Sequence, residues 1–209
     1  MTATERAYAF TKARVLDSTY AGGELLSEGE VAAALGVSRT PVREAFLRLE
    51  GEGLLRLYPK RGALVVPVSA QEVEAVMETR GLVEDFALGK LMANGRAPEI
   101  AAALRDAIAR QVELAAAGDT DGFVAVDREF HTTFVTAAGN PIVTGVYDSL
   151  RDRQQRMVIT SLLRDARRTE SILVEHRALA EAIGDGDIER ARTVLAGHLR
   201  GTLELLRRG

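Results

Sequence analysis

"LGVSRTPVREAFLRLEGEGLL", residues 35–55, decides the fold. Gly36 ends one short amphipathic stretch. Ser38 or Thr40 can cap the next, and Pro41 falls in its first turn, where a missing N–H is tolerated. Val42, Ala45, Phe46 and Leu49 then recur at three-and-four spacing, so the segment predicts a helix with one apolar stripe. Arg39, Thr40, Arg43 and Arg48 are left facing outward. Upstream, Ser27 caps a short helix over 28–35, "EGEVAAAL". Before that, residues 6–20 carry Ala7, Phe10, Val15 and Leu16 and read as a first helix, broken by "AGGELLSEGE". Downstream the period changes. "LLRLYPKRGALVVPV" places β-branched and aromatic residues around the turn signal "PKRG", which predicts a β-hairpin over 54–66. Three helices and a hairpin within 67 residues make a winged helix-turn-helix.

The totals agree with a helical protein and hide a basic patch. The chain has 209 residues, 46% hydrophobic and 5% aromatic, with no tryptophan. Its core must therefore be built from Leu, Val, Ile and Ala, and a mix rich in Ala, Leu, Glu and Arg favours helices. The net charge is −3. Within residues 39–61, however, six basic residues (Arg39, Arg43, Arg48, Arg56, Lys60, Arg61) outnumber three acidic ones (Glu44, Glu50, Glu52). Local positive charge is what contact with phosphate requires, whatever the total. The absence of cysteine excludes disulfides and thiolate metal sites. No segment approaches the ~18 apolar residues of a membrane span. The opening "MTATERAYAFTKARVLD" has no apolar run of the secretory kind. The expectation is a cytoplasmic protein.

In the helix after Gly36, the first turns are where a recognition helix meets base edges. Arginine can bond guanine bidentately, so Arg39 and Arg43 are the base-reading candidates. Arg48, and Lys60 and Arg61 at the hairpin tip, suit phosphate. The competing reading is a solvated arginine face pairing with Glu44 and Glu52. The basic hairpin directly after the helix favours DNA.

"GVSRTPVREAFLRLEGEGLL" followed by "KRGALVV" closely resembles the DNA-binding domain of the GntR family of bacterial transcriptional regulators. The resemblance covers most of residues 6–67. It implies that Arg39, Arg43 and the wing residues up to Gly62 contact double-stranded operator DNA. One position departs: many members carry an arginine early in the second helix, where this chain has Gly29.

Pro67 and Ser69 mark a boundary, giving domains over 1–67 and 68–209. "SAQE" at 69–72 fits a capping box. From there the pattern predicts only helices, over about 70–93, 98–116, 120–138, 141–163, 166–183 and 187–206. Loops this short imply antiparallel neighbours, so the second domain is an all-α antiparallel bundle and the chain as a whole is mainly α.

The chain has three histidines. In "DREFH" (127–131), Asp127 and His131 share the apolar side of a helix with Phe123, Phe130 and Phe134. His176 lies on a face with Ile172, Leu179 and Ile183. His198 lies on one with Ala191, Leu195 and Thr202. The turn "GDGD" separates the last two histidines, which stand ~12 and ~16 Å from it at ~1.5 Å per residue, nearly level in an antiparallel pair. Asp127, His131, His176 and His198 thus converge as donors for a divalent transition metal, zinc or nickel rather than calcium. The alternative is that each histidine is satisfied separately by a nearby carbonyl or carboxylate.

Residues 69–209 also look like the all-helical effector domain of the fatty-acid-regulator branch of GntR proteins, the FCD domain. Its metal-binding members place an aspartate and a histidine four apart, then two histidines on the last two helices, a pattern these four residues match one for one. "ETRGLVED" (78–85) and "AAGNP" (137–141) resemble its recurrent segments. The resemblance implies a small organic acid as effector, held by the metal and an arginine of the domain's first helix. By position that is Arg80, although Arg80 can equally pair with Glu84 one turn on. Arg151, Arg153 and Gln154 are further pocket candidates, and Asn140 reads as a helix cap. The expectation is a regulator and not an enzyme, a repressor acting as a homodimer because one recognition helix reads only a half-site. The alternatives are a sensor whose signal is the metal itself, and a metallo-hydrolase with an attached DNA-binding module.

Overall fold

The structure, a computed structural model, describes residues 1–165 and 167–207. The chain divides into two compact units, Met1–Ser69 and Ala70–Gly209. In the first, α1 (Ala3–Leu16) opens on a capping box: the Thr2 hydroxyl accepts from the Glu5 amide at 3.1 Å, and the Glu5 carboxylate accepts from the Thr2 amide at 2.6 Å. That cap starts the helix ahead of the expected span over 6–20. It also stops sooner, at Leu16, with Ser18 left-handed at φ 64° soon after. Strand β1 (Leu25–Leu26) follows, too short to leave a period in the sequence. Next come α2 (Glu28–Leu35), ended by left-handed Gly36, and α3 (Arg39–Gly51). Ser38 holds the cap position of α3, but its side chain makes no capping hydrogen bond.

The wing is β2 (Leu55–Tyr58) and β3 (Gly62–Val65), in an antiparallel sheet of order β1-β3-β2. Gly62 adopts φ 102°, and a Cβ there would run into the Leu26 carbonyl oxygen. Only glycine lets β3 approach β1 this closely. The core joins Ala7, Val15 and Leu16 of α1 to Val31, Val42, Phe46 and Leu49, and to Leu55, Ala63 and Val65 of the sheet.

The second unit is helical throughout its described residues: α4 (Ala70–Ala93), α5 (Ala97–Ala117), α6 (Thr120–Ala137), α7 (Pro141–Ser149), α8 (Arg151–Arg164), α9 (Arg168–Gly184) and α10 (Ile188–Arg207). Helix α5 packs on α6 and α9, and α10 packs on α4 and α9. α6 is the most enclosed, burying Phe123, Val124, Phe130, Phe134 and Val135 among others. The helix expected over 141–163 is two helices that meet at Leu150. α7 turns Tyr147 inward onto α4, whereas α8 buries Met157, Val158 and Ile159. Both helices pack on α4 and α6, and α8 packs on α10 as well; no Gly or Pro at the joint announces the break. The helix expected over 166–183 begins on residue 166, which lies outside the described residues. Its described part starts at Arg168. Among the described residues no helix is long and apolar enough to cross a membrane.

Candidate functional site

In the first unit, a groove runs between α3, the start of α2 and the wing. Arg39, Arg43, Lys60, Arg61 and Gly62 line it, together with Ser27, Gly29, Leu47, Tyr58 and the acidic Glu28 and Glu50. Arg39 and Arg43 are exposed, and neither is drawn into an ion pair among the described residues. Arginines left unpaired beside one another remain available for an anionic partner. Arg39 lies over Gly29: its guanidinium is 3.3 Å from where a Cβ of residue 29 would stand. Thr40 is exposed on the first turn of α3 but does not line the groove. Arg48 stands apart. It stacks 3.8 Å over the Tyr8 ring and sits 3.5 Å from Glu52, so for this arginine the pairing option is what the fold uses. At the wing tip Lys60 holds φ 64°, an unusual conformation for a residue with a side chain.

In the second unit, all three histidines are buried and meet. The ring centroids of His131, His176 and His198 are 5.0–5.2 Å apart. One ligand atom from each lies within 4.8 Å of the other two. They come from three helices, α6, α9 and α10, and His176 and His198 are level across the α9–α10 turn as the spacing predicts. The Asp127 Oδ1 atom is 3.6 Å from His176 Nε2. Phe130 stacks on the His176 ring at 3.9 Å and fixes its plane.

What turns these rings is a set of partners that the sequence did not single out. His131 Nδ1 meets Glu84 Oε2 at 2.8 Å, His176 Nδ1 meets Gln111 Oε1 at 2.9 Å, and His198 Nδ1 meets Glu175 Oε2 at 2.7 Å. Ionised carboxylates and an amide oxygen only accept, so in this network each Nδ1 carries the hydrogen, and in a neutral ring Nε2 keeps a free lone pair. The Nε2 atoms of His131 and His176 and the Oδ1 atom of Asp127 are buried with no hydrogen-bond partner. Leaving such atoms unsatisfied is costly, and a cation among them removes the cost. The residues present therefore fit a divalent transition metal: imidazole and carboxylate donors, oriented from behind by hydrogen bonds. The only sequence signals for the partners were Glu84 one turn from Arg80 and Gln111 on the inward stripe of α5.

The electrostatics are local. Glu84 accepts from Arg80 Nε at 2.7 Å and from the Tyr147 hydroxyl at 2.9 Å. Burial alone would raise its carboxyl, but Arg80, then His131, hold it well below the usual carboxylate range. Arg80 itself is buried in this pair. Burial drives His176 well below its ordinary value, helped by His198 and His131. Burial also lowers His198, against the opposing hydrogen bond to Glu175. Among the other pocket candidates, Arg151 and Arg153 are exposed, and Arg153 pairs with Glu72 at 3.1 Å, whereas Gln154 is buried. Asn140 caps α7, its side chain accepting from the amides of Ile142 and Val143.

The family model for gntR-family bacterial regulatory proteins matches residues 3–65, and that for the FCD domain matches residues 75–201. An HTH-type transcriptional regulator in an unstable DNA locus of Streptomyces ambofaciens is 32% identical over 197 residues, 93% of this chain and 80% of that protein. A probable D-xylose utilization operon transcriptional repressor of Paenarthrobacter nicotinovorans is 30% identical, over 87% of this chain and 78% of the other. A solved GntR regulator from Rhodococcus sp. RHA1 superposes with a TM-score of 0.78 at 24% identity, covering 99% of this chain and 98% of that one, a likeness of fold.

Proposed function

The chain belongs to the GntR family of bacterial regulatory proteins, with an FCD domain as its helical unit, and on that premise we propose how it takes its signal. It is a DNA-binding transcriptional regulator and not an enzyme, so the metallo-hydrolase alternative falls away. In our reading a homodimer grips a pseudo-palindromic operator, each copy using α3 on one half-site. Arg39 and Arg43 meet base edges. Thr40, Lys60, Arg61 and the backbone at Gly62 meet phosphate, and Arg48, already engaged by Glu52, adds at most a phosphate contact. Asp127, His131, His176 and His198 hold a divalent ion, zinc or nickel. A small carboxylate binds at that ion and lowers operator affinity, relieving repression. It can do so only by binding one arrangement of the dimer better than the other.

The observation that carries the metal reading is the set of buried, unpartnered Nε2 and Oδ1 atoms facing one another. Charge balance supports the carboxylate. Glu84 is matched by Arg80 and Glu175 by Arg168, whereas Asp127 has no arginine or lysine at ion-pair distance among the described residues. A divalent ion beside Asp127 is left with one positive charge in excess, and a monoanion neutralises it. Arg80, whose charge Glu84 already matches, is the proposed effector arginine through its guanidinium hydrogen bonds rather than through net attraction.

The test is metal content by plasma mass spectrometry on untagged protein prepared without chelator, beside His176→Ala. About one equivalent, lost in the variant, is expected. No metal even after reloading would sink the reading. Operator titrations with zinc alone and with zinc plus small carboxylic acids then separate two signals. An affinity that follows the metal alone would make the ion itself the effector.

A further inference from the structure

We propose that Arg168 is a positioning residue of the histidine cluster: through Glu175 it fixes the His198 ring and so sets the geometry offered to an ion. The inference rests on the metal reading above. Arg168 is the first residue of α9 and is 3% exposed. Its Nη1 donates to both Glu175 oxygens, at 3.0 and 3.1 Å, and to Ser171 Oγ at 3.1 Å. Its Nη2 donates to Thr202 Oγ1 at 2.8 Å and to the His198 carbonyl at 3.4 Å. Glu175 Oε2 in turn accepts from His198 Nδ1 at 2.7 Å. Arg168 therefore reaches the same histidine twice, at the ring through Glu175 and at the backbone directly.

Geometry separates this arrangement from a plain ion pair. A lone buried pair is weak evidence of stabilisation, because desolvation offsets most of its attraction. A planar guanidinium fork, however, fixes direction as well as charge, and lysine cannot reproduce it. Glu175 without Arg168 keeps its place on α9 but loses what holds its carboxylate against His198. The same logic recurs at His131, whose partner Glu84 is held by Arg80. It is missing at His176, whose partner Gln111 is neutral and has a buried amide nitrogen with no hydrogen bond. Two of the three rings are thus set by an arginine–carboxylate clamp, and for the third Phe130 supplies a stacked wall.

The experiment compares the full chain with Arg168→Lys and Glu175→Gln. Zinc affinity is read by competition with a chromophoric chelator, site geometry by the visible spectrum of bound cobalt(II), and metal-free stability by urea unfolding. The expected result is about 10–100-fold weaker zinc binding in both variants, the usual effect of losing an outer hydrogen-bond partner. A changed cobalt spectrum should accompany it, beyond the lower urea midpoint expected of Glu175→Gln, which leaves the buried Arg168 without its carboxylate. Wild-type affinity and spectrum in variants of a protein that does bind one ion would overturn the proposal and leave the metal reading standing. So would weakening that only tracks the fraction unfolded, with an unchanged spectrum. Should Arg168→Lys fail to fold, Arg168→Gln takes its place, and a wild-type cobalt spectrum in that variant would overturn the proposal. A wild-type protein that binds no ion overturns the metal reading and this proposal with it.

Discussion

Lys60 sits at the wing tip with a positive φ, a conformation that costs a residue with a Cβ about 1–2 kcal/mol relative to glycine. Such strain at an exposed basic residue is a reason to look for function there. Lys60→Gly should therefore raise or preserve stability in urea while weakening operator binding. Its signature is a salt dependence of log K against log[salt] about one unit shallower, the mark of one lost phosphate contact. Arg80 makes the opposite case. Its side chain and that of Glu84 are 3% and 0% exposed. Arg80→Met leaves Glu84 charged and buried without its cation, which should cost about 3–5 kcal/mol in urea unfolding. His176 gives a pH dependence with a definite sign. Its folded value lies well below the ordinary 6.5, so the unfolded chain takes up a proton that the fold refuses. Stability of the metal-free protein is then fully present above about 6.5 and declines as pH falls below it. Urea midpoints from pH 8 to pH 5 in chelator should show this slope, and His176→Gln should reduce it to the part that His198, also lowered by burial, contributes. At this scale the sequence was legible for residue types with one strong preference. Gly36, Asn140 and the inward histidines declared themselves. Glu84, Gln111 and Glu175 did not, because an outer partner's role depends on a neighbour distant in the chain.

Helix α3 shows why elements were easier to read than single contacts. Val42, Ala45, Phe46 and Leu49 are all buried, so the stripe that predicts the helix is also the surface that fixes its roll. Once that roll is set, Arg39 and Arg43 must face the groove. Arg43→Ala should accordingly abolish specific operator binding while leaving the circular dichroism spectrum and urea midpoint unchanged, and unchanged specific affinity would refute the recognition-helix assignment. Some elements depart from what the sequence predicts. Strand β1 has only Leu25 and Leu26, and two residues cannot display alternation. The joint at Leu150 has no Gly or Pro to mark it, and what flanks it, Tyr147 bonded to Glu84 and the buried face of α8, depends on partners distant in the chain. Helix α1 was misplaced because its start rests on Thr2 and Glu5, a capping pair ahead of the apolar run.

For the molecule as a whole, totals mislead where distributions inform. A net charge of −3 coexists with a groove in which four basic side chains, Arg39, Arg43, Lys60 and Arg61, outnumber two acidic ones, Glu28 and Glu50. Metal loading should stabilise the helical unit by mass action, about 2.7 kcal/mol when free ion exceeds its Kd a hundredfold. A melting transition that moves up with zinc and returns with chelator checks this, and His198→Ala should not move. The cluster has a consequence beyond affinity. His131, His176 and His198 are 1%, 0% and 4% exposed and lie on α6, α9 and α10, well separated along a chain with no cysteine. An ion held there is a reversible cross-link. Like a disulfide, it shortens the loops available to the unfolded chain. Because its ligands are enclosed, it can leave only when the helices part. Its release rate should therefore saturate with chelator concentration at the rate of that opening, so that the cell's memory of having met the metal is timed by the breathing of the bundle.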